Sequence, residues 1–357
     1  MSEPHPIRSV DFSVKSGTRS INFALLCAAM ALVYFSSACS TCGAAYPTGE
    51  VVCEIARDGD LPIVAAEVGG KKLRLLVDTG LTISALDVRH RNLAGELQGT
   101  AELQDTDGRH VDLEVRAAPE IRVGGRRLPI DVIVLMDVRQ FEFTGEAYDG
   151  CIGLDILKHF VAEFDFDAGQ FRLFKQAPSD LGIAFDLMQT IDGFPAIDVR
   201  IGTEAPMRVS LCTGKSAALG LSKTAFLELS NNAQLRGFDR LSLELVARRR
   251  DSIPGVVSQL QIGRFSHRDI LAWTASDNTL GLGYLSRYKC TFDFPKQKLY
   301  LKPGAAFHGV DRFDRSGLYI TKSSGRFTVS HVYPISPAAE AGLIEYDVIK
   351  AIDGKSC

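Results

Sequence analysis

The stretch Leu73-Arg74-Leu75-Leu76-Val77-Asp78-Thr79-Gly80 decides the fold of this chain. Leu75-Leu76-Val77 is the apolar end of a strand, and an acid, a hydroxyl and a glycine follow it as a turn. The same frame returns as Met207-Arg208-Val209-Ser210-Leu211-Cys212-Thr213-Gly214, with a thiol where the acid stood. Outward from the two turns the match continues. Upstream, Leu61-Pro62-Ile63-Val64-Ala65-Ala66-Glu67-Val68-Gly69-Gly70 answers to Phe194-Pro195-Ala196-Ile197-Asp198-Val199-Arg200-Ile201-Gly202. Pro62 lies 16 residues before Asp78, and Pro195 lies 17 before Cys212. Each copy alternates apolar and polar residues on both sides of a glycine turn, which predicts a β-hairpin.

Downstream, Gly153-Leu154-Asp155-Ile156-Leu157 leads to Glu163-Phe164-Asp165-Phe166 and Phe171-Arg172-Leu173-Phe174. Its counterpart, Gly281-Leu282-Gly283-Tyr284-Leu285, leads to Thr291-Phe292-Asp293-Phe294 and Leu299-Tyr300-Leu301. Matched starts, turns and ends predict a mostly β, internally duplicated chain with halves at 55–176 and 180–303. A short helix is expected in each, at Asp155 to His159 and at Tyr284 to Arg287. Leu81-Thr82-Ile83-Ser84-Ala85-Leu86, after the first turn, reads as a further strand. Ala101 to Val115 reads as a hairpin about Asp107-Gly108, a strong two-residue turn signal, which serves either as an ordinary hairpin or as a flap closing over a cleft.

The chain has 357 residues, 46% hydrophobic and 23% charged, which is enough for two or three domains. A net charge of −3 gives no bulk electrostatic case for nucleic acid or an anionic membrane surface. Arg248-Arg249-Arg250 is the one dense basic run and reads as a solvated turn. Met1 to Ser20 is polar with an excess of basic residues; the apolar run Phe23 to Phe35 and the small residues Ser36-Ser37-Ala38 follow. That order is a secretory signal over 1–38, with a short membrane anchor as the alternative. Cys39 resembles a bacterial lipoprotein cleavage site from which the usual leucine is missing. Periplasm or cell envelope is the expected location, with membrane contact only through this segment or a lipid. Eight cysteines in an exported chain invite disulfides, and Cys42 and Cys53 are close enough in sequence to bridge.

With Leu75-Leu76-Val77 before it and Asp149-Gly150-Cys151-Ile152-Gly153-Leu154 later in the chain, the Asp78 turn resembles that of the aspartic proteases of the pepsin and retropepsin type. The resemblance covers most of 55–303 and implies a two-lobed fold with an extended peptide, from a peptide or protein substrate, in the cleft between lobes. It implies no cofactor. In that family two such turns face each other, because two close carboxylates share one proton: the charged one is general base on a water, and the protonated one polarises the scissile carbonyl. Asp78 is then the retained acid, and Thr79 and Thr213 brace the turns. Gly80 and Gly214 let backbone come close.

Cys212 is the departure, since a thiol with an ordinary pKa near 8.5 cannot share that proton. Asp198 aligns with Glu67 and Glu204 falls in a hairpin turn, so neither replaces it. Three readings stay open. The second lobe is inactive and the chain is a non-catalytic peptide binder; or Asp78 works alone or with Asp78 of a second chain; or Lys215 activates Cys212 as a thiolate. The oligomeric state is left open.

His90, His110, His159, His267 and His331 lack metal-ligand spacing and read as solvated or satisfied, so no metal site is expected. Residues 313–357 resemble the first half of a PDZ domain of the bacterial protease-associated kind. Ser336-Pro337-Ala338-Ala339-Glu340-Ala341-Gly342-Leu343 and Asp347-Val348-Ile349 carry that resemblance. It implies a peptide-carboxylate loop at Gly317-Leu318-Tyr319-Ile320, with Tyr319 in place of a usual glycine and one wall of the groove absent.

Overall fold

The structure is a computed structural model and describes residues 13–16, 19–22, 51–55, 61–104, 110–138, 148–237, 254–311, 316–323, 326–332, 336–352 and 355–356. The chain is mostly β. Its early strands are β1 Ser13–Ser16, β2 Arg19–Asn22, β3 Val51–Glu54, β4 Ile63–Val68, β5 Lys71–Val77, β6 Ala85–Asp87, β7 Leu97–Gln104 and β8 His110–Ala117. Then come β9 Ile121–Val123, β10 Arg126–Arg127, β11 Val132–Met136, β12 Gly150–Ile152, β13 Val161–Asp165 and β14 Gln170–Phe174. The second copy runs through β15 Ile183–Asp186, β16 Met188–Gln189, β17 Pro195–Ile201, β18 Met207–Leu211, β19 Leu219–Ser222 and β20 Leu235–Gly237. It ends with β21 Pro254–Ile262, β22 Phe265–Ala275, β23 Thr279–Leu280, β24 Tyr288–Asp293 and β25 Lys298–Pro303.

Several strand pairings recur in the two stretches matched in sequence. The β4–β5 hairpin has its counterpart in β17–β18, each turned by a glycine with positive φ, Gly69 at 55° and Gly202 at 56°. In the first half β12 runs parallel to β5 and antiparallel to β6, and β11 runs parallel to β6. In the second, β23 runs parallel to β18 and antiparallel to β19, and β22 runs parallel to β19. One set belongs to an 11-stranded sheet and the other to an 8-stranded sheet.

A six-stranded sheet in the order β15-β25-β24-β13-β14-β3 joins the halves. At its centre β13 and β24 pair antiparallel, with Glu163 opposite Thr291 and Phe164 opposite Cys290. The first of these pairs places equivalent residues of the two copies across from each other. Phe164, Phe171 and Phe292 are fully buried there and form one aromatic cluster, Phe171 tilted against Phe164 at 5.1 Å between centroids and Phe292 edge-to-face with it at 5.8 Å. Burying that many rings at the seam ties the halves into one core.

The one-turn helices begin earlier than the pattern suggests, at Leu154–Leu157 and Leu282–Leu285. Gly153 and Gly281 start them with nearly identical backbone, φ −103°, ψ −171° and φ −102°, ψ −170°. The strand expected over Leu81 to Leu86 is confined to Ala85–Asp87. Its first residues spend their polar groups elsewhere: Leu81 O accepts from Leu154 N and Thr82 O from Asp155 N, so those carbonyls make no ladder. The β7–β8 hairpin forms as expected, but Asp107 and Gly108 lie outside the described residues. So do Arg248-Arg249-Arg250 and the Phe23–Phe35 run. Of the segment expected as a leader, Ser13–Ser16 pairs with Arg19–Asn22 and with β7. Among the described residues no helix is long and apolar enough to cross a membrane.

Beyond β25 a separate small sheet holds β26 Leu318–Ser323, β27 Arg326–Val332 and β28 Val348–Ile349, and the pair β29 Ala351–Ile352 and β30 Lys355–Ser356 follows. The helix expected from Ser336 spans Pro337–Glu340, capped by the Ser336 hydroxyl on Ala339 N at 3.2 Å and stopped at Gly342, φ 80°. Cys53, expected to bridge Cys42, carries a free buried thiol on β3, and Cys42 lies outside the described residues.

Candidate active site

Strands β5 and β18 rise from exposed ends to fully buried ones and deliver Val77 and Leu211 to the interior, so the turns that follow meet back to back. Thr79 and Thr213 are fully buried and grip each other through four reciprocal bonds. Thr79 Oγ1 donates to Leu211 O at 2.8 Å, and Thr213 Oγ1 donates to Val77 O at 2.7 Å. In return, Thr213 N donates to Thr79 Oγ1 at 3.1 Å, and Thr79 N donates to Thr213 Oγ1 at 3.0 Å. Each hydroxyl is both donor and acceptor, which leaves no polar group of the brace unpaired.

The turns are held from behind in the same duplicated way. Asp78 N donates to Ile152 O at 2.9 Å and Cys212 N to Leu280 O at 3.0 Å. Leu154 N donates to Leu81 O at 2.7 Å and Leu282 N to Lys215 O at 2.6 Å. The segments Cys151-Ile152-Gly153 and Thr279-Leu280-Gly281 therefore hold the two turns through matching backbone bonds.

Asp78 is half-buried at the meeting point. Its Oδ1 accepts from Gly80 N at 2.7 Å, Gly214 N at 3.0 Å and Cys212 Sγ at 3.3 Å. Donors from both turns converge on one oxygen. A Cβ on Gly80 would fall on Cys212 Sγ, and a Cβ on Gly214 would fall on the Asp78 carboxyl. Glycine is required at both places by close approach.

Burial pushes the Asp78 carboxyl above its ordinary range; the Gly80 amide, the Cys212 thiol, the Gly214 amide and the Lys215 charge pull back without reversing it. Burial and the adjoining Asp78 charge push the Cys212 thiol well above its ordinary value, and Lys215 does not overcome them. Of the three readings left open for Cys212, the thiolate activated by Lys215 is the one this burial opposes, and the thiol donates to Asp78 Oδ1. Cys151 is pushed well up by the same two causes, burial first.

Neither spare acid fills the gap. Asp198 is exposed and takes Arg208 Nε at 3.1 Å, and Glu204 in its hairpin turn takes Asn232 Nδ2 at 3.1 Å. Gly317, Leu318, Tyr319 and Ile320 belong to the small sheet and its entry, a different sheet from either turn; Gly317 has φ 74° and packs against Ser336. His90 and His267 are buried and satisfied, by Asp149 Oδ1 at 2.7 Å and Tyr288 Oη at 2.6 Å. Among the described residues no group of three His, Cys, Asp or Glu side chains is arranged for a metal ion.

One element of the site was not anticipated. Asp155 takes Ser84 N at 3.0 Å and Ser84 Oγ at 2.7 Å, while Ser84 Oγ accepts from Gly153 N at 3.0 Å. This network ties the segment behind Asp78 to the loop in front of it, and burial pushes the Asp155 carboxyl up. At the corresponding positions the second half has Ala218 and Gly283. The polar pair Ser84 and Asp155 against Ala218 and Gly283 was the available signal. No protein-family model matches the chain, and a search of curated proteins finds none that matches it.

Proposed function

We propose that the chain has the two-lobed aspartic-protease fold and acts as an aspartic-type peptidase on an extended peptide laid between the halves, with Asp78 as the retained acid. The observation that carries the reading is the convergence of Gly80 N and Gly214 N, one from each turn, on Asp78 Oδ1. Two N–H donors from separate halves of the chain on one carboxylate support the reading that both turns face a single centre.

In this reading ionised Asp78 takes a proton from a water as its oxygen bonds to the peptide carbonyl carbon. It returns that proton to the leaving nitrogen as the C–N bond breaks. Cys212 supplies only a weak S–H donor where a protonated carboxyl would polarise the carbonyl, so the rate falls well below that of a two-acid site. The segment 1–38 directs the chain to the bacterial envelope, and 313–357 is its partial PDZ-like tail.

Cys212 itself favours a second reading, a peptide-binding protein of the envelope in which no water is activated. Hydrolysis of an unfolded protein substrate by the parent, Asp78→Ala and Cys212→Asp chains separates the two. The peptidase reading expects slow hydrolysis by the parent, abolished in Asp78→Ala and raised about 100-fold or more in Cys212→Asp, the scale of one acid–base group. Equal rates in parent and Asp78→Ala overturn it; peptide binding without hydrolysis by the parent establishes the second reading.

A further inference from the structure

Residues 304–311 leave β25 and are tied down at both ends. Gly304 N donates to Arg287 O at 2.9 Å, and Ala305 N donates to Asp167 Oδ2 at 2.8 Å. At the far end Asp311 pairs with the buried Arg287 guanidinium and accepts from Leu271 N of β22 at 2.8 Å, while Arg287 Nη1 donates to Gly309 O. Between these ties Phe307 lies edge-on to His267, with 4.8 Å between ring centroids, and packs against Tyr288 and Phe265 at 5.4 and 5.5 Å. His267 is buried, with its Nε2 2.6 Å from Tyr288 Oη, which lies 3.4 Å from Tyr284 Oη. At the positions matching Tyr284 and Tyr288 the first half has Ile156 and Phe160, which carry no hydroxyl. The second half has thus set two phenols and an imidazole under the segment that leaves it.

We propose that residues 304–311 form an acid-released strap: a proton taken up by His267 unseats Phe307 and frees the exit from β25. The strap works independently of what the two turns bind or cleave. Its basis is what surrounds the imidazole. The short helix Leu282–Leu285 and β24 bring the phenols of Tyr284 and Tyr288, which burial keeps neutral, and Arg287 between them brings a positive charge. β21 brings Leu260, opposite His267. The strap brings the exposed His308 and Asp311, a carboxylate already taken by Arg287 and Leu271 N. Burial and the Arg287 charge hold His267 down to about 4, with Asp311 opposing them. Lifting the strap wets the ring and returns it towards the ordinary value of about 6.5, so the open form binds the proton more tightly than the closed one. Closure is complete above about pH 6.5 and weakens as pH falls towards 4.

Hydrogen exchange at the Leu271 amide, which Asp311 holds, reads the strap in the full chain. With intrinsic exchange divided out, opening should rise about 20-fold from pH 7 to pH 5, while the ladder amides of β24 stay level. His267→Gln keeps a hydrogen-bonding partner for Tyr288 and takes up no proton in this range, so its opening should not respond. His308→Gln should respond as the parent does. Opening in the parent that is equal at the two pH values overturns the proposal, as does a response that survives in His267→Gln or is lost in His308→Gln. Should His267→Gln fail to fold, His267→Phe combined with Tyr288→Phe removes the ring and its hydrogen bond together, and a response surviving there overturns it equally.

Discussion

A buried carboxylate whose folded pKa is raised holds its charge at a cost to the fold. For Asp78 the contribution to stability is complete below the unfolded pKa of about 3.9 and is lost as pH rises through the higher folded value. Asp78→Asn keeps an oxygen for Gly80 N, Gly214 N and the Cys212 thiol while removing the charge. Its melting temperature at pH 7 is therefore expected to exceed the parent's, with the gap closing towards pH 3; equal melting temperatures at pH 7 would contradict the cost assigned to this charge. In the peptidase reading, function and stability pull apart at this residue. The two turns were legible in the sequence, because each follows an apolar strand end at the same place in its repeat. What happens to the thiol was not legible: Lys215 beside Cys212 suggested activation, and only the burial of Sγ against a carboxylate decides the contest the other way.

Among elements, the seam sheet is the most exposed to single substitutions. Glu163 on β13 is buried at 1% exposure and takes Arg172 Nη1 at 2.7 Å and Thr291 Oγ1 at 3.0 Å, across the junction with β24. Glu163→Ala strands the buried Thr291 hydroxyl and takes from Arg172 the nearer of its two acids, the other being Asp165 at 4.0 Å, a loss of about 3 kcal/mol. Glu163→Gln keeps the hydrogen-bonding oxygens and loses less. Urea denaturation should rank parent, Gln and Ala in that order, and an Ala midpoint equal to the parent's would remove Glu163 from the seam's energetics. The strands of this sheet were legible from their apolar alternation, but their partners were not, since alternation fixes which face is buried and says nothing of which strand lies alongside. Leu81 to Leu86 shows the same limit from the other side. Its alternation is that of a strand, yet Thr82 and Ser84 are drawn into contacts with Asp155 and Gly153, and the regular ladder begins only at Ala85.

For the molecule as a whole, β3 to β25 pack about two hydrophobic clusters, the larger running through both halves and the smaller lying about Ile63, Leu76, Ala101 and Val134, whereas β26 to β30 form sheets of their own. A chain ending at Asp311 keeps the buried Arg287–Asp311 ion pair that fastens the exit from β25. Its main unfolding transition should match the full chain's within about 1 °C by calorimetry, and a fall of about 4 °C or more, the scale of 1 kcal/mol, would show that the small sheet supports the rest. The joined halves carry a further consequence. Where two identical subunits build such a site, one codon writes both turns, and any change strikes both at once. Here each turn has its own codon, so the chain can hold a thiol at 212 and a lysine at 215 in one turn while it holds Asp78 and Leu81 in the other. Tandem duplication thereby lets the two walls of one site drift towards different tasks, a freedom closed to a symmetric dimer.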